Sequence, residues 1–160
     1  MDNGRQKLAW SQDVWTRIDG AVHAEGKRSR VGAQFLPLFG PLGSDDMTVP
    51  ADSVSYDGGS LSVSETSTVG LVELSVPFWL TRQQVSREAE LGTAVTLATA
   101  AASLLAQAED LVIFQGTSAA KNHDLFKNKL VIHQSGESQG LLEAPAAFAA
   151  GAKASKGGGG

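Results

Sequence analysis

The chain has 160 residues, no cysteine and a formal net charge of −4 at pH 7. This length suits one domain with its own core, and the lack of cysteine excludes disulfides, thiolate catalysis and cysteine-based zinc sites. The acidic balance gives no electrostatic reason to bind nucleic acid. No apolar run approaches the roughly 20 residues that a membrane-spanning helix needs, and the first residues do not build a signal peptide. We therefore expect a cytoplasmic protein.

The first predicted element is an amphipathic helix within an amino-terminal arm, residues 1–31. Apolar residues recur at the helical spacings of three and four: Leu8, Trp10, Val14, Trp15, Ile18 and Val22. Ser11 is the expected N-cap, and Asp13 brings a negative charge to the first turn. Because two tryptophans bury a large area, this helix is expected to dock on another element. The basic residues that follow suit a helix end better than a nucleic-acid site: Lys27, Arg28 and Arg30.

Residues 32–70 are predicted to form a loop and then a long β-hairpin. The loop is broken by proline and glycine, and the hairpin turn is signalled at residues 57–59. The apolar residues beside the turn alternate with serines: Val54, Tyr56, Leu61 and Val63. So few large apolar residues do not stabilise an isolated hairpin. We expect it to need a partner surface, the alternative being an ordinary solvent-exposed hairpin.

The next stretch, from Gly70 to Gly116, organises the rest of the chain. Alternating apolar and polar residues predict a half-buried strand over residues 72–80. A short helix follows Thr81 and ends at Gly92.

A long helix is predicted over residues 93–114, which contain neither Gly nor Pro, and Gly116 is expected to stop it. Its large apolar residues share one face, which favours packing against a sheet or another helix: Leu97, Leu104, Leu105, Leu111 and Val112. Residues 117–122 are expected to be a polar loop, and residues 130–132 a short strand. The Ala-, Gly- and Lys-rich tail, residues 146–160, is expected to be disordered.

No constellation of residues predicts catalysis, cofactor binding or a metal site. The three histidines lack metal-ligand spacing, and neither a serine-nucleophile motif nor a phosphate-binding glycine loop is present. Glu109 and Asp110 are adjacent, and adjacent helical residues point about 100° apart, so they do not form an acid/base pair. A capping role or an inter-subunit ion pair is the better interpretation.

Several segments, in the same order, resemble the encapsulins, which are linocin-like shell proteins. The segments are SQDVWTRIDGAVHAE (residues 11–25), GPLG (40–43), LVELSVPFWLTRQQVSREAELG (71–92) and AQAEDLVIFQG (106–116). The resemblance covers about residues 8–145 and implies an α+β, tailed-phage capsid-like fold. Residues 71–145 would be a partial peripheral domain with residues 93–114 as the spine helix. The hairpin would be the extended loop that reaches over the next subunit.

The resemblance also implies a function as the structural subunit of a self-assembling icosahedral compartment, a homo-oligomer of many copies. Such shells enclose a cargo enzyme, a peroxidase or ferritin-like protein, which docks through a short targeting peptide in a groove involving the amino-terminal helix. By position, four residues are candidates to line or support that groove: Trp15, Ile18, Asp19 and Val22. The alternative for each is ordinary core packing.

Family members continue after the position of Pro145 into an apical domain, so an incomplete fold is expected here. The alternative function is a phage-derived capsid fragment that encloses nucleic acid. A secreted bacteriocin or protease, also associated with linocin-like proteins, is disfavoured because a nucleophile constellation and a signal peptide are both lacking.

Overall fold

The computed structural model describes residues 5–37, 40–43, 45–57, 59–134 and 138–143. The described elements, in chain order, are α1 (Gln12–Ser29), β1 (Thr48–Asp57), β2 (Ser60–Gly70), β3 (Val72–Ser75), α2 (Arg82–Ser86), α3 (Glu88–Leu91), α4 (Thr93–Asn122) and β4 (Val131–Gln134). This mixture of helices and strands agrees with the predicted α+β class. The capsid-like topology stays a prediction, and the predicted tail lies outside the described residues.

The helix α1 begins after Ser11, as predicted, but the Ser11 side chain makes no capping hydrogen bond. Asp13 lies in the first turn. The helix continues through Gly20 and Gly26 although each glycine costs about 1 kcal/mol relative to alanine. It therefore depends on packing, which α4 supplies along one side.

The strands β1 and β2 form the predicted long antiparallel hairpin, a two-stranded sheet of its own. Tyr56 lies opposite Leu61, and Val54 lies opposite Val63. The register shifts between Ala51 and Ser53.

The strand predicted over residues 72–80 is shorter than expected. It ends at Ser75, where its antiparallel partner β4 begins with Val131. Pro77 lacks a backbone N–H and so cannot contribute a donor to a ladder. The predicted strand is present, but its extension to Leu80 is wrong. The short strand predicted near residues 130–132 is confirmed as β4.

A capping box starts α2. The Gln84 backbone N–H donates to Thr81 Oγ1 at 3.3 Å, and the Thr81 backbone N–H donates to Gln84 Oε1 at 2.8 Å. The predicted stop at Gly92 is confirmed: Gly92 ends α3 in the left-handed conformation, with φ +61°. The helix α4 then begins at Thr93.

Gly116 interrupts α4, as the sequence predicts, with φ 82° and ψ 172°. The predicted loop at residues 117–122 is wrong, because the chain resumes a helical path to Asn122. The Thr117 backbone N–H instead donates to the Ser138 carbonyl at 3.0 Å. The break in α4 at Gly116 thus frees the Thr117 N–H to bond to Ser138. Gly140 packs against the backbone of Gln115 and Gly116.

The core lies where α1 crosses α4. Val14 and Ile18 pack with Ala94 and Ala98, and half-buried Trp10, Trp15, Leu80 and Val95 surround them. The predicted leucine face of α4 is only half-buried. Before Gly116, the buried positions of α4 are all alanines: Ala94, Ala98, Ala101, Ala102, Ala106 and Ala108. Alanine lets two helix backbones approach closely, and Ala94 and Ala98 form the contact with Val14 and Ile18.

By length and composition alone, α4 could cross a membrane, contrary to the sequence expectation that no apolar run is long enough. Its alanines raise its hydropathy without adding bulk. Because a soluble core helix passes the same test and α4 packs against α1, this property is weak evidence for a membrane.

Candidate functional site

A groove of about 770 Å³ separates the second half of α1 from α4. One wall is a face of α1: Asp19, Val22, His23, Gly26, Lys27 and Arg30. The floor and far wall come from the turn after α1 and from α4: Ala33, Gln34, Ala102 and Leu105. The α1 residues are spaced by three or four positions, which brings them onto one side of the helix.

The four predicted groove residues take two different places. Asp19 and Val22 line the groove. Ile18 is 9% exposed and belongs to the α1–α4 core. Trp15 is half-buried beside Trp10, with ring centroids 4.9 Å apart. Ile18 and Trp15 therefore support α1 from behind, while Asp19 and Val22 face the space.

Asp19 lies at one end of the groove, and its carboxylate is paired with Arg5. The two terminal nitrogens of Arg5 donate to the two Asp19 carboxylate oxygens at 2.6 and 2.9 Å. The same guanidinium lies over the Trp15 ring, 4.9 Å from its centroid. The hydrogen bonds from Arg5 lower the pKa of Asp19 below its usual value, so this carboxylate stays ionised and paired near neutral pH.

The acidic pair Glu109–Asp110 holds the end of α1 and the turn that follows it, next to the groove residue Arg30. Asp110 accepts hydrogen bonds from the backbone N–H groups of Val31 and Gly32, the latter at 2.7 Å, so it caps the short turn after α1. Glu109 pairs with Arg30 Nε at 2.7 Å. The predicted capping role is confirmed for Asp110, and Glu109 forms an ion pair within the chain.

Glu25 fixes the last turn of α1 behind this end. It accepts hydrogen bonds from Arg28 at 2.6 and 3.0 Å and from the Ser29 hydroxyl at 2.8 Å. The Arg28 and Ser29 hydrogen bonds lower the pKa of Glu25 to about 2. Glu25 is therefore an anion at any physiological pH, and its carboxylate is engaged by Arg28 and Ser29 of α1 and by Ser103 of α4.

Sequence reasoning missed Lys27 and Leu105 as groove residues. Lys27 was assigned to a solvated helix end, although its spacing of four from His23 and eight from Asp19 already placed it on the same face of α1. Leu105 comes from a distant element, and nothing in the local pattern could bring it to α1. The sequence predicts only that Leu105 belongs to the leucine face of α4.

The hairpin presents a second candidate surface. Tyr56 and Leu61 are each 73% exposed and Val63 is 58% exposed. The neighbouring pair on the strands is polar, with the Ser55 and Ser62 hydroxyl oxygens 2.7 Å apart. The Val54 side chain lies outside what the structure describes, but its backbone is in register with Val63. The distal hairpin therefore exposes an apolar cross-strand pair to its surroundings.

Among the residues that the structure describes, no three His, Asp or Glu side chains gather as metal ligands. His23 lies at the groove, His123 accepts a hydrogen bond from the Leu125 backbone N–H, and His133 is on β4.

The family model described as an encapsulating protein for peroxidase matches residues 1–153. The chain belongs to the encapsulin family. The matched range includes α1, the hairpin and α4, and so both candidate surfaces.

Two curated encapsulins are similar to this chain. A diheme-cytochrome-encapsulin shell fusion protein of Kuenenia stuttgartiensis is 26% identical over 121 residues, which cover 68% of this chain and 33% of that protein. The type 1 encapsulin shell protein EncA of Myxococcus xanthus is 29% identical over 123 residues, which cover 66% of this chain and 42% of that protein. The chain thus matches less than half the length of each relative, and both relatives are named as shell proteins.

Proposed function

We propose that this chain is a structural shell subunit that assembles in many copies into a closed, icosahedral protein compartment around a cargo enzyme. The match of residues 1–153 to the encapsulin family carries this proposal. The family description names a peroxidase as what is encapsulated, so a peroxidase is the first cargo to test and a ferritin-like enzyme the second. The fold would be the capsid-like arrangement, and the compartment would lie in the cytoplasm.

The hairpin is the element proposed to join neighbouring subunits. Its distal apolar residues, Tyr56, Leu61 and Val63, are more than half exposed in the single chain. Burying apolar area contributes about 25 cal/mol per Å², so covering such side chains favours association. In a closed symmetric shell the same contact repeats many times, and each contact can then be weak.

The α1–α4 groove is proposed to receive the cargo's targeting peptide. Its volume falls in the range of about 300–1,000 Å³ typical of ligand sites, and it combines apolar and charged side chains. Asp19 and Val22 would contact the peptide, whereas Trp15 and Ile18 would hold α1 in position.

Negative-stain electron microscopy of the purified chain, together with its absorbance ratio at 260 and 280 nm, tests the proposal. Uniform hollow or protein-filled spheres with a protein-like ratio are expected. Particles with the absorbance of nucleic acid would support the viral-capsid alternative instead, and the absence of particles would contradict both.

A further inference from the structure

We propose that residues 5–8 form a strap that is closed over Asp19 in this structure and opens when the pair between Arg5 and Asp19 is broken. Because Asp19 lines the α1–α4 groove, opening the strap changes the charge that the groove presents. The inference concerns the free chain, so it goes beyond the proposed function and does not depend on what the groove binds.

The Arg5 side chain keeps the strap closed through two contacts with α1. Its terminal nitrogens donate to the two Asp19 carboxylate oxygens at 2.6 and 2.9 Å. Its guanidinium also lies over the Trp15 ring, 4.9 Å from the centroid. Trp15 and Asp19 are four residues apart and so lie on one face of α1, which lets one guanidinium meet both.

Trp10 anchors the other end of the strap. Its indole N–H donates to the Val85 carbonyl of α2 at 2.8 Å, and its ring lies 4.9 Å from the Trp15 ring, centroid to centroid. Between half-buried Leu8 and Trp10, Ala9 is exposed and belongs to neither a helix nor a strand. The strap can therefore lift from α1 by a hinge at Ala9 while Trp10 stays in place.

The two ends of the strap differ in their response to salt. The Arg5 and Asp19 side chains are 41% and 50% exposed, and exposed ion pairs are weak and screened by salt. Trp10 is held by apolar packing and by a hydrogen bond to a neutral carbonyl, which salt does not screen. Salt should therefore release the Arg5 end and leave the Trp10 end attached.

The strap sets the charge at the Asp19 end of the groove. Lys27 and Arg30 line the groove with positive charge, and Asp19 lines it with negative charge. In the closed strap, the Arg5 guanidinium neutralises the Asp19 carboxylate. In the open strap that carboxylate is free, so a cation that binds there competes with Arg5.

Acrylamide quenching of tryptophan fluorescence tests the strap in a parent chain that carries Trp79→Phe. Trp79 is 86% exposed, and its removal leaves Trp10 and Trp15 as the reporters. Acrylamide is uncharged, so it reports access to the rings and not local charge. Asp19→Asn keeps the size of the side chain and leaves Arg5 present. We expect it to raise the quenching constant about 1.5-fold, because one of the two rings loses its cation cover.

Glu25→Gln is the matched control. It breaks another arginine–carboxylate pair on α1, the one with Arg28, and should leave the quenching constant at the parent value. Raising NaCl from about 0.05 M to about 0.5 M should increase quenching in the parent but not in Asp19→Asn. Far-UV circular dichroism checks that each variant keeps its helices. If Asp19→Asn loses them, Arg5→Met provides the same salt comparison.

Two results would overturn the strap. One is a quenching constant in Asp19→Asn equal to that of the parent, and the other is an equal effect of salt on the parent and on the variant that lacks the pair. Neither measurement involves shell assembly or docking, so failure of the strap leaves the proposed function standing.

Discussion

The Glu88 carboxylate, only 2% exposed, accepts a hydrogen bond from the Ala94 backbone N–H at 2.7 Å and a longer one from Val95 at 3.3 Å. A buried residue of α3 thus caps the start of the 30-residue helix α4 across the turn at Gly92. The first N–H groups of a helix have no partner within the helix, and its dipole favours an anion there.

Replacing Glu88 should therefore destabilise the fold. We expect Glu88→Ala to lower the free energy of unfolding by about 1–3 kcal/mol, because it leaves buried donors unsatisfied. Glu88→Gln, which keeps an acceptor but loses the charge, should cost less. Urea unfolding measures both, with Glu90→Gln as the exposed control, expected within about 0.5 kcal/mol of the original. Equal stability of Glu88→Ala and the control would contradict the capping role.

Gly116 should not tolerate a side chain. Its φ of +82° is unfavourable for other residues, and a Cβ there would lie 2.6 Å from the Ser138 carbonyl oxygen. We expect Gly116→Ala to cost roughly 2 kcal/mol or more. The contrasting variant is Gly20→Ala in open space, which should stabilise by about 0.5–1 kcal/mol. The melting temperature should fall for Gly116→Ala and rise for Gly20→Ala. A change in the same direction for both variants would contradict the steric argument for Gly116.

The exposed hairpin pair should matter for assembly and not for subunit stability. We expect the double variant Tyr56→Ser, Leu61→Ser to lower the assembled fraction sharply, because it removes apolar area that the single chain leaves exposed. Size-exclusion chromatography and electron microscopy measure that fraction. Ser62→Thr, a conservative change in the same hairpin, is the control. Normal assembly of the double variant would show that the hairpin tip is not an inter-subunit contact.

The stabilisation by Glu25 should depend on pH in the acid range. Its pKa falls from an ordinary 4.5 to about 2 because Arg28 and Ser29 stabilise the ionised form. A lowered pKa in the folded state adds stability that is complete above pH 4.5 and is lost as the pH falls towards 2. The difference in melting temperature between the original chain and Glu25→Gln should therefore shrink between pH 7 and pH 3. A difference independent of pH would contradict the proposed hydrogen bonding.

Local signals in the sequence were enough to predict several elements. Glycine predicts the stop at Gly92 and the break at Gly116, and alternation together with a glycine turn predicts the hairpin. Each of these signals acts over a few neighbouring positions. The length of β3 could not be predicted this way, because it is set by a partner strand about 60 residues later. The helical path after Gly116 likewise depends on a contact with Ser138.

The candidate groove was only partly visible in the sequence. Asp19 and Val22 were found through the resemblance, whereas Lys27 follows from the helical period and Leu105 requires the packing of α4 on α1. The buried residues in that packing are alanines, whose hydrophobic periodicity is harder to detect in the sequence than that of the neighbouring leucines. The sequence therefore predicts a shared leucine face, but it does not predict that Ala94 and Ala98 contact α1.

Sedimentation velocity of the purified chain over a series of concentrations tests the shell assignment most directly. The proposal predicts a single large, closed species with few intermediates, because repeated weak contacts become stable together only when the shell closes. A 16.6 kDa monomer that persists at the highest concentration would contradict it.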